Sequence, residues 1–85
     1  MNPLAMQMIH DALEPHIKSG LRVEDFKLFV SRQSRMAEKE SVDTSYGLLR
    51  IYPSEYVPKG AAYVREDFNG RIGMAFAWVS KPKEG

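Results

Sequence analysis

Between Ile72 and Val79 the chain alternates large and small apolar residues, setting Ile72, Met74, Phe76 and Trp78 against Gly73, Ala75, Ala77 and Val79. A period of two puts the two sets on opposite faces of one strand. Apolar side chains on both faces predict a strand inside its sheet, with Phe76 and Trp78 in the core. The small row leaves room for a helix backbone to approach closely. A sheet with a covering helix is therefore the expected frame.

The helix stands at the start of the chain. Asn2 can cap it, and Pro3 fits the first helical position, where a missing N–H costs nothing. Ala5, Met8, Ile9, Ala12 and Leu13 follow at helical spacing, and His16 and Ile17 extend the stripe. The ring of Pro15 meets the carbonyl of Asp11, which predicts a kink or an end near Glu14. Ser19-Gly20 closes the segment. Residues 22–40 carry two patterns at once. Val23, Phe26, Val30, Gln33 and Ala37 share a helical face, with Glu24 and Asp25 in a first turn that favours acids. Phe26, Leu28 and Val30 also alternate with Lys27, Phe29 and Ser31, as a strand would. The length of the helical stripe exceeds that of an ordinary strand and favours a second helix.

Ser41 to Ser45 reads as a polar loop, and Leu48 to Tyr52 as a strand. Residues 53–60, with two prolines and a glycine, read as a loop. Ala61 to Arg65 is a second strand, Glu66 to Gly70 a turn marked by Asn69-Gly70, and residues 71–79 a third strand. The expected fold is α+β, two N-terminal helices on one face of a three-stranded antiparallel sheet. The alternative makes residues 21–31 a strand and gives one helix with a four-stranded antiparallel sheet. Residues 1–80 form the expected domain, and residues 81–85, rich in lysine and proline, a frayed tail.

Eighty-five residues can bury only about 60–65% of their unfolded surface, and there is no cysteine to staple them. Disulfides, thiolate zinc sites and iron–sulfur clusters are excluded. A partner is the remaining aid to a thin core, a second copy included, so a homodimer is expected. The longest apolar run falls far short of the ~20 residues of a membrane span. The N-terminus has no basic stretch followed by an unbroken apolar one, so a cytoplasmic location is expected. A formal net charge of +1 announces neither an acidic nucleic-acid mimic nor a strong basic footprint.

Residues with chemistry are few. His10 and Glu14 lie one turn apart on the first helix, but with His16 they match no metal-ligand spacing, so no metal or cofactor is expected. No serine sits in a nucleophile elbow, and the glycines never gather into a phosphate loop. Glu66-Asp67 falls in an expected turn, where both carboxylates would be solvated. An enzyme is not expected. In the helical reading of residues 22–40, Arg32, Arg35 and Lys39 form a basic outer stripe that includes an exposed Leu28, a composition suited to a partner or to phosphates. Tyr52, Tyr56 and Tyr63 are candidate interface residues, because tyrosine is favoured where one end stays wet. Residues 71–78 faintly resemble the aromatic strand of an RNA-recognition motif. They lack its Gly-aromatic-Gly core, and the order of elements differs. The function expected is non-catalytic binding of another protein, as an inhibitor, adaptor or regulatory subunit, such as a phage or mobile element encodes. Nucleic-acid binding through the basic stripe is the alternative, and a structural part in a larger assembly the second.

Overall fold

The computed structural model describes residues 3–68 and 71–82. Helix α1 spans Pro3–Lys18 and runs through Pro15 without ending at Glu14. Ile9, Ala12 and Leu13 are buried, and Ile17, beyond the proline, packs on the same core. The last turn is closed by Ser19 N–H donating to Pro15 O, Leu21 N–H to His16 O and Gly20 N–H to Ile17 O. Gly20 takes the positive φ, 99°, of a helix C-terminus. Packing of Ile17 and this cap outweigh the proline's penalty of about 3 kcal/mol.

There is no second α-helix over residues 22–40. A short 3-10 turn at Val23–Asp25 leads into strand β1, Phe26–Ser31, and a second at Arg35–Glu38 leads out of it. Serines redirect the chain after β1: Ser31 Oγ accepts from Gln33 N–H, and Ser34 Oγ from Met36 N–H. Such local bonds compete with helix continuation. The alternation of Phe26, Leu28 and Val30 therefore governs this segment, and the alternative fold reading lies nearer the observed one. Two further strands flank a tight turn, β2 (Ser41–Thr44), expected as a loop, and β3 (Gly47–Ser54). Gly47 has φ +130°, and a Cβ there would lie 2.7 Å from Val23 Cγ1, so the turn presses on the first 3-10 segment. Strands β4 (Ala62–Phe68) and β5 (Arg71–Ser80) complete the sheet.

The five strands form one mixed sheet in the order β2-β3-β1-β4-β5. Strand β1 pairs parallel with β3 and antiparallel with β4; β2–β3 and β4–β5 are antiparallel. The segment read as a helix is thus the central strand. Pro53 lies in β3 beyond Arg50, where β2 has ended and β3 has a neighbour on one side only, a position proline tolerates. Strand β5 lies at the sheet's edge, not its interior; its small row meets the helix as expected, but its large row does not enter the core. Ala75, Ala77 and Val79 pack toward α1 and the core, while Met74, Phe76 and Trp78 are exposed.

The main core fills one side of the sheet. Ile9 and Leu13 of α1 and Val23 meet Phe26, Leu28, Val30, Val42, Leu49, Ile51 and Val64, the inward residues of four strands. Glu66 is buried at 7% exposure within β4 rather than solvated in a turn. Its Oε1 accepts the Ala75 N–H at 3.1 Å across a register shift. The expected Asn2 cap, the Asn69-Gly70 turn, residues 83–85 of the tail and the Ile72 side chain lie outside the described residues. No helix among the described residues is long and apolar enough to cross a membrane.

Candidate functional site

One helix covers one face of the sheet, and the alternation of each strand dictates what the other face carries. Lys27 and Phe29 of β1, Leu48, Arg50 and Tyr52 of β3, Tyr63, Arg65 and Asp67 of β4, and Met74, Phe76 and Trp78 of β5 all point away from α1. The register makes Phe29 the partner of both Tyr52 and Tyr63, and Tyr63 the partner of Trp78. An aromatic band therefore crosses four adjacent strands. Phe29 stacks on Tyr63 at 4.9 Å between centroids and tilts against Tyr52 at 5.4 Å. Tyr63 continues to Phe76 at 5.0 Å and to Trp78 at 5.6 Å, and those two meet edge to face at 5.3 Å. No α-helix among the described residues covers this band: Tyr52 is 51% exposed, Phe76 43% and Trp78 39%.

At the β3 end the loop after Ser54 turns back over the band. Val57 and Ala61 pack on Phe29, which is buried, with Tyr63 beside them. The loop is fixed by Val57 N–H to Ser54 O, Ala61 N–H to Pro58 O, and Ser80 Oγ–H donating to Gly60 O at 2.7 Å. Between loop and band lies a cleft of about 440 Å³ with walls of Phe29, Tyr52, Tyr56 and Tyr63 and the side chains of Arg32, Glu55 and Arg65.

Cations interleave with the rings. Lys27 Nζ bonds Asp67 Oδ2 at 3.1 Å and stands 5.9 Å from the centre of the Tyr52 ring. The Arg65 guanidinium lies over Phe29 at 4.5 Å. Its Nε is buried without a hydrogen-bond partner, and it makes no salt bridge among the described residues. Arg32, at the rim, is 3.8 Å from Glu55.

Four of the seven residues singled out in the sequence meet here: Arg32, Tyr52, Tyr56 and Tyr63. The other three do not. Leu28 is buried in the core on the helix side, at 1% exposure, because it belongs to a strand and not to an outer helix face. Arg35 lies in the second 3-10 turn and Lys39 just after it, in a segment whose Met36 and Ala37 pack against the main core. The basic helical stripe therefore does not exist. Phe29, Arg65, Phe76 and Trp78 belong to the face without having been singled out for it. The size difference between the two rows of β5 held the signal: the small row meets the helix, so the large row faces away from it.

His10 serves a different end. Its Nε2 accepts from Ser45 N–H at 3.1 Å and its ring meets Tyr46 edge-on, joining α1 to the β2–β3 turn. A second cleft, of about 400 Å³ and mostly apolar, lies between α1 and the second 3-10 turn above Leu28 and Val30. No protein-family model, curated protein or solved structure matches the chain.

Proposed function

We propose that the chain is a non-catalytic binding protein that docks another protein on the open aromatic face of its sheet, as an inhibitor, adaptor or regulatory subunit does. The observation that supports this is the band from Tyr52 to Trp78, open except where the loop reaches Phe29, with Met74, Arg50 and Arg65 on the same face. Tyrosine, tryptophan, phenylalanine, methionine and arginine are the residues enriched at interface cores and hot spots. An exposed apolar patch on a small domain marks a surface that something else covers.

Single-strand nucleic acid is the rival occupant, since sheets can offer aromatic rings for bases to stack on. The charges favour protein. A nucleic-acid track needs a series of free cations for successive phosphates. Here Lys27 is engaged by Asp67 and Arg32 weakly by Glu55, which leaves Arg50 and Arg65 as the cations on this face without a salt bridge among the described residues, a short series for successive phosphates.

The test is affinity capture from producing cells, comparing the wild type with a Tyr52→Ala/Trp78→Ala variant shown to be folded. A protein retained by the wild type and lost by the variant supports the reading. Equal recovery by both places the contact elsewhere. Sub-micromolar oligonucleotide binding that the variant abolishes gives the face to nucleic acid.

A further inference from the structure

We infer that the cleft at the β3 end of the aromatic face seats a carboxylate carried next to an apolar group, so the docking partner presents an acidic side chain beside an aromatic or aliphatic one. The inference rests on the docking reading above and names the chemistry of what docks.

Arg65 is the starting point. It is the register partner of Lys27 across β1 and β4, and like charges directly opposed on one sheet face repel. Asp67 neutralises Lys27 at 3.1 Å, and Arg50, the register partner of Lys27 on β3, adds a third cation to the row, so neither arginine has a salt bridge among the described residues. Arg65 is held over Phe29 instead, in a partly buried setting where an unsatisfied polar group is costly. A planar guanidinium fixed against a ring is half of a bidentate carboxylate site. The second cation, Arg32, lines the same cleft. Its pairing with Glu55 is 3.8 Å long, with side chains 66% and 58% exposed, so an incoming anion displaces Glu55 at little cost.

The remaining walls decide what carries the charge. Phe29, Tyr52, Tyr56 and Tyr63 offer ring surface, so a bare ion would leave most of the cleft unfilled. A group with an apolar body and one negative end uses both features. One or two charges suit a carboxylate; they do not suit a chain of phosphates.

The test is an NMR titration of backbone amides with four probes: hydrocinnamate, its neutral amide, phenyl phosphate and a short oligothymidylate. Hydrocinnamate should shift the Tyr52, Ser54, Glu55, Tyr56, Tyr63 and Arg65 amides with fragment-scale affinity, a Kd of about 1 mM. The neutral amide should bind at least tenfold more weakly. Arg65→Gln should lower hydrocinnamate affinity about tenfold, and Arg65→Lys should restore only part of it, because the fork is lost. Arg35→Ala, away from the cleft, should change nothing. An amide that binds as well as the acid leaves the face a docking surface and removes the carboxylate. Phenyl phosphate binding more than tenfold tighter than hydrocinnamate would assign the cleft to a phosphoryl group instead. Absence of shifts with all the small probes overturns the site, while the capture experiment still judges the docking reading. Oligothymidylate binding tighter than every fragment overturns both.

Discussion

The β4–β5 register shift aims the outer residues of β5, and one steric contact in it can be tested by exchange. Gly73 sits against Glu66: a Cβ built on Gly73 would lie 2.4 Å from Glu66 Cβ, 2.9 Å from its Oε1 and 3.0 Å from its Cδ. The closest of these atoms is next to the backbone and cannot swing away. Gly73→Ala should therefore expel the Glu66 side chain and break its bond to Ala75 N–H, 3.1 Å long. Expelling the side chain costs its hydrogen bond, about 1.5–3 kcal/mol for a charged group, and keeping it in place costs about as much in overpacking, so the two are alternatives and not a sum. A net loss of about 2.5 kcal/mol follows. It should lower the urea midpoint by about 2 M for a domain with a slope near 1.2 kcal/mol per molar. Trp78, the only tryptophan, reports the unfolding by its fluorescence. The decisive arm is the background Glu66→Gly, where the opposing Cβ is gone. There Gly73→Ala should stabilise by about 0.5 kcal/mol, since alanine is less costly than glycine in a strand. The cycle then gives a coupling of about 3 kcal/mol, at the upper end for residues in contact. An equal effect of Gly73→Ala in both backgrounds, or a midpoint unchanged in the wild type, would refute the steric account.

Three further outcomes follow from the same geometry. Trp78→Ala, on the exposed face, should cost about 1–2 kcal/mol, whereas Leu49→Ala in the sealed core should cost about 3 or more; a Trp78 variant as damaged as the Leu49 one would return the tryptophan to the core. His10→Ala should lower stability by about 1–2 kcal/mol by freeing the Ser45 N–H and loosening the β2–β3 turn from α1, which hydrogen exchange at Ser45 and Tyr46 would show; unchanged exchange would refute the link. Self-association, proposed from the small core, has to use the open face, because β2 is short and β5 carries two register shifts against its neighbour. Two faces meeting around Arg65 oppose like charges, so sedimentation equilibrium should show more dimer at about 0.5 M salt than at low salt; a dimer that ignores salt would place the contact elsewhere.

The α+β class and the N-terminal helix were legible because each has an unambiguous period. The centre of the chain was not. In residues 22–40 a helical stripe and a strand alternation coincide, since Phe26 and Val30 serve both patterns. What settles it is long-range: Leu28 pairs with Ile51 on one side and Val64 on the other, and both are buried. No window of sequence contains those partners. The error propagated to the site, because Leu28, Arg32, Arg35 and Lys39 were grouped by a helix that does not form. The tyrosines were grouped without that helix. Their case rested on the amphipathic side chain itself, and Tyr52 and Tyr63 do stand on one open face. In β5 the alternation and the small row's approach to a helix match the fold, and the burial of Phe76 and Trp78 does not. A helix lying directly on a strand selects the small row, so with one helix available the large row has to face outward.

Why an aromatic band can stand open on so small a domain is a question of what the helix side already supplies. The buried side chains of α1 and four strands form a core that closes without Phe76 or Trp78. Among the described residues no second α-helix lies over the opposite face, and the loop at Val57 and Ala61 reaches Phe29 and stops. What remains uncovered would favour unspecific stacking of copies if it were uniformly apolar. Lys27 and Arg65 interrupt it at its middle. An approaching apolar surface must desolvate the Arg65 guanidinium, which is costly unless that surface brings a negative charge. Such a surface binds where a neutral or basic one is rejected, so the cation that limits self-stacking also sets the sign of the partner.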